Sequence, residues 1–345
     1  MKVLVDVLGS PRQSGGMRLH AEEVVRTWCE LYPADELVVL GPSWVRDSFA
    51  GPDVDFVTWP NERVVARSTG QMLLQPLLAA VKKVDAVVSL SPIVSPLVFA
   101  RPTFCFEHDW RHLKNKDEFG VAQRAYRKLW ELSAARATGC LCISDKAENE
   151  TLELVRTAST EIVPNGGDHP RRWEVGDLPV HPRPMVVTFG HHNNKRPDLV
   201  IRGMAKLPDN AALTVLGARG ELAAQLKSLA ASLGKEEDVL FPGFVEEPEY
   251  QRIIAGADCV VVASSDEGFG LPIAEALYFG IPVVVAEDSG VSDMHGPDVI
   301  AAQPTPAGMA QAMAEALARG RTASGGVSSW ADTVQLLRKK VANSL

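Results

Sequence analysis

Two segments of this 345-residue chain open alike: KVLVDVLGS, residues 2–10, and PMVVTFGHH, residues 184–192, are short β-branched apolar runs that end in a glycine-bearing loop before a helical pattern. A run with no polar face to turn toward water is satisfied as a strand covered on both sides, the condition of a parallel sheet. Further apolar runs follow the first at 37–40, 54–57, 86–90, 103–106 and 139–143, separated by helix-like stretches such as 19–31. The second is followed by runs at 213–216, 239–241, 259–263 and 282–286. This alternation predicts an α/β chain built from two doubly wound, Rossmann-like parallel sheets.

Residues 166–184, GGDHPRRWEVGDLPVHPRP, hold four prolines and three glycines, a composition that sustains neither helix nor central strand. The expected division is a first domain over 1–168, a linker over 169–184 and a second domain over 185–329. An amphipathic helix over 330–345, apolar at Val334, Leu336, Leu337 and Val341, is free to pack back on the first domain. No tandem repeat or low-complexity tract interrupts this plan.

Charge and cysteine usage narrow the function. With 43 acidic against 35 basic residues, the net charge of −8 opposes phosphate-backbone binding, so nucleic acid is not an expected partner. The uncharged apolar run 86–100 contains Pro92 and Pro96 and is too short and broken to span a bilayer. Asp6 interrupts the apolar start that a secretory signal needs, and a cytoplasmic location is expected. The five cysteines, Cys29, Cys105, Cys140, Cys142 and Cys259, read as reduced core thiols. Cys140 and Cys142 share one strand face, but no second ligand pair stands at zinc-site spacing, so no metal is expected there.

The segment SSDEGFGLPIAEALYFGIPVVVA, residues 264–286, carries the chemistry. Pro272 falls where a helix begins, Gly280 where it stops in the left-handed conformation, and the last six residues read as a buried strand. Such a loop lies outside the carboxyl end of a strand, where open α/β sheets bind ligands. Gly268, Phe269, Gly270 and Leu271 place backbone N–H donors and the positive end of a helix dipole toward an anion, most naturally a phosphate. Glu267 and Glu275 would repel a bare phosphate unless each faced donors, and a ribose diol can satisfy one carboxylate. The combination describes a nucleotide sugar.

Glu267 and Glu275, eight positions apart in EGFGLPIAE, resemble the E-x7-E motif of retaining glycosyltransferases of the GT-B fold, particularly family 4. The likeness extends to SGGMRLHAEEVV (14–25), EHDW (107–110), CISDKAENE (142–150), VPNGGD (163–168) and the approach VLFPGFVEEPEYQRIIAGADCVVVASSDEGFG. It implies two Rossmann-like domains facing each other across a cleft, the first on the acceptor side and the second holding the nucleotide sugar. By the same resemblance, Glu275 holds the ribose hydroxyls, Glu267 contacts the donor sugar or stabilises positive charge at its anomeric carbon, and Lys195 meets the diphosphate. Gly15 and Gly16 present backbone to the leaving phosphate, and His108 positions the donor sugar or acts near the acceptor. The family usually has an arginine soon after the strand-ending glycine. Here that place holds His191, with Arg196 following Lys195, and either can substitute.

The implied activity is transfer of a sugar, with retention, from a nucleoside diphosphate sugar to a hydroxyl of a glycan, lipid-linked or small-molecule acceptor, without a metal cofactor. Two alternatives share the frame: a sugar-nucleotide 2-epimerase and a catalytically silent partner subunit. Asp53-Val54-Asp55 spells the metal-binding D-x-D of the other glycosyltransferase fold, but its alternation reads as entry to a half-exposed strand. His191 and His192 read as a solvated pair. Residues 110–137 hold seven Lys and Arg against three acids, interleaved with Phe119, Tyr126 and Trp130. This is either an ordinary solvated helix or an acceptor-side surface that meets anionic lipid at the inner membrane face or a polyprenyl-phosphate-linked glycan.

Overall fold

A computed structural model describes residues 1–12, 15–48, 54–110, 121–178, 181–207, 211–323 and 326–345; within the helix Val121–Arg136, side chains are described from residue 125 onward. The chain divides into two compact units, Met1–Gly166 with Ser328–Leu345, and Gly167–Val327. Both are doubly wound parallel sheets flanked by helices.

The first unit holds β1 (Lys2–Asp6), β2 (Glu36–Gly41), β3 (Val54–Thr58), β4 (Ala86–Ser89), β5 (Thr103–Glu107), β6 (Gly139–Cys142) and β7 (Thr160–Ile162), in the spatial order β3-β2-β1-β4-β5-β6-β7. Every pairing is parallel; β1, for example, aligns Val5 with Val39 on one side and with Val88 on the other. The helix Gly15–Leu31 follows β1 and buries Ala21, Val24, Val25 and Trp28. The terminal helix Trp330–Asn343 joins this unit. Ser329 caps it through a reciprocal bond with Asp332, and it buries Trp330, Val334, Leu337 and Val341. Gly166 is obligatory beside it, since a Cβ there would lie 2.3 Å from the Trp330 backbone nitrogen.

The second unit holds β8 (Met185–Phe189), β9 (Ala212–Leu216), β10 (Val239–Gly243), β11 (Cys259–Val262), β12 (Val283–Ala286) and β13 (Val299–Ala302), ordered β10-β9-β8-β11-β12-β13. Two apolar layers cover its faces: one around Val186, Ile201, Val261 and Met313, the other around Val187, Ile273, Val260 and Ile281. In both sheets the strand order reverses between the first and fourth strands, β1 and β4 in one, β8 and β11 in the other. The loops leaving the carboxyl ends of such a pair run to opposite faces of the sheet and leave a crevice between them.

Among the described residues no helix is long and apolar enough to cross a membrane. Of the D-x-D triplet, Asp53 lies outside the described residues, and Asp55 is exposed and paired with Lys82 at 2.6 Å. Of the basic stretch, 111–120 lie outside them as well. Trp110 is buried, donates to Thr151 Oγ1 at 2.8 Å and packs edge-on against Trp130, and the Tyr126 hydroxyl donates to Gln71 at 2.8 Å. These three aromatics are therefore engaged within the first unit.

Candidate functional site

The switch point of the second sheet brings together the loop after β8 and the loop after β11. Lys195 ends a short turn, Asn193–Lys195, and Arg196 follows at φ +47, capping the helix Pro197–Met204. The two loops are tied by backbone: Ser265 N donates to Asn194 O at 2.9 Å, and Asn194 Nδ2 donates to Asp266 O at 3.1 Å. Glu267 N donates to Ser289 O at 3.0 Å, fixing the second loop from a third side. These ties hold Lys195 Nζ 2.5 Å from Glu267 Oε1, with both side chains largely enclosed. Burial works to raise the Glu267 pKa, but the Lys195 charge and hydrogen bond outweigh it and keep the carboxyl below its usual range.

Beyond Glu267 the chain turns through Gly270, at φ +80, into the helix Leu271–Tyr278. Pro272 is the second residue of that helix, and Gly280, at φ +68, follows its end. A Cβ at Gly270 would also lie 2.6 Å from Ile273 Cδ1, which would have to shift. The helix start offers N–H groups with no side-chain cap, a site for an anion. One turn in, Glu275 is 4 % exposed. His169 Nε2 donates to its Oε1 at 3.0 Å and the Tyr250 hydroxyl to its Oε2 at 2.5 Å. Each carboxylate oxygen keeps a second lone pair for an incoming hydroxyl.

Arg196 is committed elsewhere: Nε donates to Ala263 O at 2.6 Å, and the guanidinium forks onto Asp288 at 2.8 and 2.5 Å. It acts as a strut between loops. His191 is exposed, ring to ring with His192 at 4.9 Å, and its field helps hold Glu267 ionised. The sequence expectations thus converge in part. Lys195, Arg196, Glu267, Gly268, Phe269, Gly270, Leu271 and Glu275 share one end of the second sheet.

His108, Gly15 and Gly16 belong to the first unit. Gly15 and Gly16 open its first helix, and a Cβ on Gly15 would meet nothing within 4 Å. His108, just past β5, donates from Nε2 to Leu90 O at 3.2 Å, and burial lowers its pKa. Its ring stands perpendicular to that of His20 at 4.8 Å, and His20 Nδ1 lies 2.7 Å from Asn165 Oδ1.

Three site residues escape sequence reasoning. His169 sits in the proline-rich segment read as linker, Tyr250 in the helix Glu247–Gly256, and His295 in the loop between β12 and β13. His295 Nε2 donates to Phe269 O at 2.7 Å and its ring packs edge-on to Phe269 at 5.0 Å, bracing the glycine loop. Trp173 lies edge-on to both His169, at 5.8 Å, and Tyr250, at 6.1 Å, backing the pair that holds Glu275.

Residues 179–324 match the family model of glycosyl transferases group 1. A D-inositol 3-phosphate glycosyltransferase of Mycobacterium sp. (strain KMS) is 40 % identical over 119 residues, 33 % of this chain and 27 % of that protein. The chain thus matches little more than a quarter of the length of that relative. Among solved structures, Anabaena Alr3699/HepE in complex with UDP and glucose is similar with a TM-score of 0.70 at 18 % identity, covering 99 % of this chain and 100 % of its own. Sucrose-phosphate synthase from Thermosynechococcus elongatus gives 0.71 at 16 % identity, covering 99 % of each chain. The second unit thus matches the glycosyl transferases group 1 model, on a chain with the GT-B fold of two Rossmann-like units.

Proposed function

We propose that the chain transfers a sugar, with retention of anomeric configuration, from a nucleoside diphosphate sugar to a hydroxyl acceptor. The observation that carries the reading is the meeting of Lys195, Glu267, the uncapped helix start at Leu271 and the enclosed Glu275 at one switch point. Glu275 accepts from the ribose diol with the lone pairs left by His169 and Tyr250. The helix N-terminus takes a phosphate, and Lys195 exchanges its bond to Glu267 for the diphosphate. Released from its ion pair, Glu267 faces the positive charge that develops at the anomeric carbon as the bond to phosphate breaks. The acceptor oxygen bonds the carbon on the same face, and its proton passes to the departing phosphate. Recognition of the acceptor, a glycan, a lipid-linked glycan or a small polyol, is assigned to the first unit.

A screen of UDP-, GDP-, ADP- and dTDP-linked sugars, each with candidate acceptors, tests this by NMR of the anomeric proton. The expected product is a glycoside of the donor's own configuration. Epimerised donor formed with no acceptor present, or an inverted glycoside, contradicts the proposal.

A further inference from the structure

Cys140 and Cys142, set aside in the sequence for want of a second ligand pair, meet one in the fold. The parallel register of β5 and β6 sets Cys105 opposite Cys140 and Glu107 opposite Cys142. Alternate residues of a strand share a face, so the four side chains form a two-by-two block on one face of the first sheet. All four are fully buried. Cys105 Sγ lies 3.7 Å from Cys140 Sγ and 3.9 Å from Glu107 Oε1. The ligand atoms of Cys105, Glu107 and Cys140 all fall within 4.8 Å of one another.

Two observations point beyond ordinary core packing. Glu107 Oε2 is enclosed and has no hydrogen-bond partner among the described residues, a costly state for a carboxyl group whose near neighbours are thiols, the weakest of donors. The sulfur separation also suits a shared ion: in a tetrahedron with metal–sulfur bonds of about 2.3 Å, two sulfurs stand about 3.8 Å apart.

We infer that Cys105, Cys140 and Glu107, with Cys142 beside them, form a site for a thiophilic divalent cation of the zinc class. Sulfur ligands select such an ion over magnesium, calcium or manganese, which favour oxygen. Full enclosure leaves no open position for a reacting molecule, so the centre is structural. It lies in the first unit and is independent of the donor-site reading. On entry the cation replaces the thiol and carboxyl protons, which pass to solvent; two thiolates and one carboxylate then leave one net negative charge. Because the ligands are fully enclosed, loading belongs to folding.

The test uses the full chain expressed in zinc- or cobalt-supplemented medium, purified in reductant and gel-filtered. The expected result is metal retained mole for mole and, in the cobalt form, thiolate-to-cobalt charge-transfer absorption with d–d bands of tetrahedral intensity. Charge transfer requires sulfur, so it separates this site from metal held by His191 and His192. Cys140→Ser and Glu107→Gln should each lower retained metal at least about tenfold, while Cys259→Ser, a buried thiol of the second unit, should leave it unchanged. Glu107→Gln keeps the side-chain shape and carries the comparison if Cys140→Ser fails to fold. Folded, reduced wild-type chain with neither retained metal nor the charge-transfer band overturns the inference, as does a band that survives in Glu107→Gln.

Discussion

Lys195 and Glu267 neutralise each other at the mouth of the second sheet, and their substitution should separate binding from chemistry. Lys195→Met removes the cation offered to the diphosphate and strands a buried carboxylate, so kcat should fall about 10²–10³-fold together with donor affinity. Glu267→Gln should lower kcat while donor binding, followed by thermal shift, stays near wild type. Equal loss of binding in both variants would contradict the division of labour. Tyr250→Phe and His169→Phe each remove one donor from Glu275. Bonds to a charged group contribute about 1.5–3 kcal/mol, so donor KM should rise by roughly tenfold or more with kcat little changed, read from steady-state kinetics. Glu267 and Glu275 stand out in the sequence because they share one local motif, and Lys195 because it lies between a strand end and Pro197. His169 and Tyr250 do not, because they reach Glu275 across 106 and 25 positions, and no spacing rule connects a proline-rich loop to the floor of a helix.

The element that organises the site is the helix Leu271–Tyr278, bounded by two glycines in the left-handed region. Gly280 is the more demanding: a Cβ there would stand 2.1 Å from Thr322 O, the carbonyl of a residue whose own N–H donates back to Gly280 O at 2.8 Å. Gly280→Ala should destabilise the chain by about 2 kcal/mol or more, since both the torsion and the space are refused. Urea unfolding monitored by circular dichroism measures it, and an unchanged midpoint would show that this turn has room to relax. The same glycines make the helix readable from sequence, as do the uninterrupted apolar runs of the central strands. The edge strands β7, Thr160–Ile162, and β13, Val299–Ala302, are three and four residues long and only partly buried. So short a run has neither length nor alternation to distinguish it from a loop.

At the scale of the whole chain, the C-terminal helix returns to the first unit, where Asp35 gathers its contacts. Arg338 grips Asp35 at 2.7 and 3.1 Å, the N-terminal ammonium at 2.9 Å and the Trp28 indole at 3.0 Å. Burial alone would raise the Asp35 pKa, but these donors, Arg338 foremost, bring it down to about 2. An acid held below its unfolded value stabilises the fold above that value, about 3.9. The stabilisation is lost as pH falls toward 2, where Asp35 itself protonates. Asp35→Asn should therefore lower stability at neutral pH and flatten its decline between about pH 4 and pH 2, measured by denaturant midpoints across that range. A variant declining in parallel with wild type would remove Asp35 from the account. Composition and periodicity announce this helix, while its partner 303 positions away is a product of the fold alone.

The most direct test of the central claim is calorimetric titration of the full chain with the panel of nucleotide sugars, run beside Glu275→Ala. The account predicts saturable binding of at least one nucleotide sugar by the wild type, and its loss in a variant whose circular dichroism is unchanged. Equal affinity in the two would show that the nucleotide is not held at Glu275.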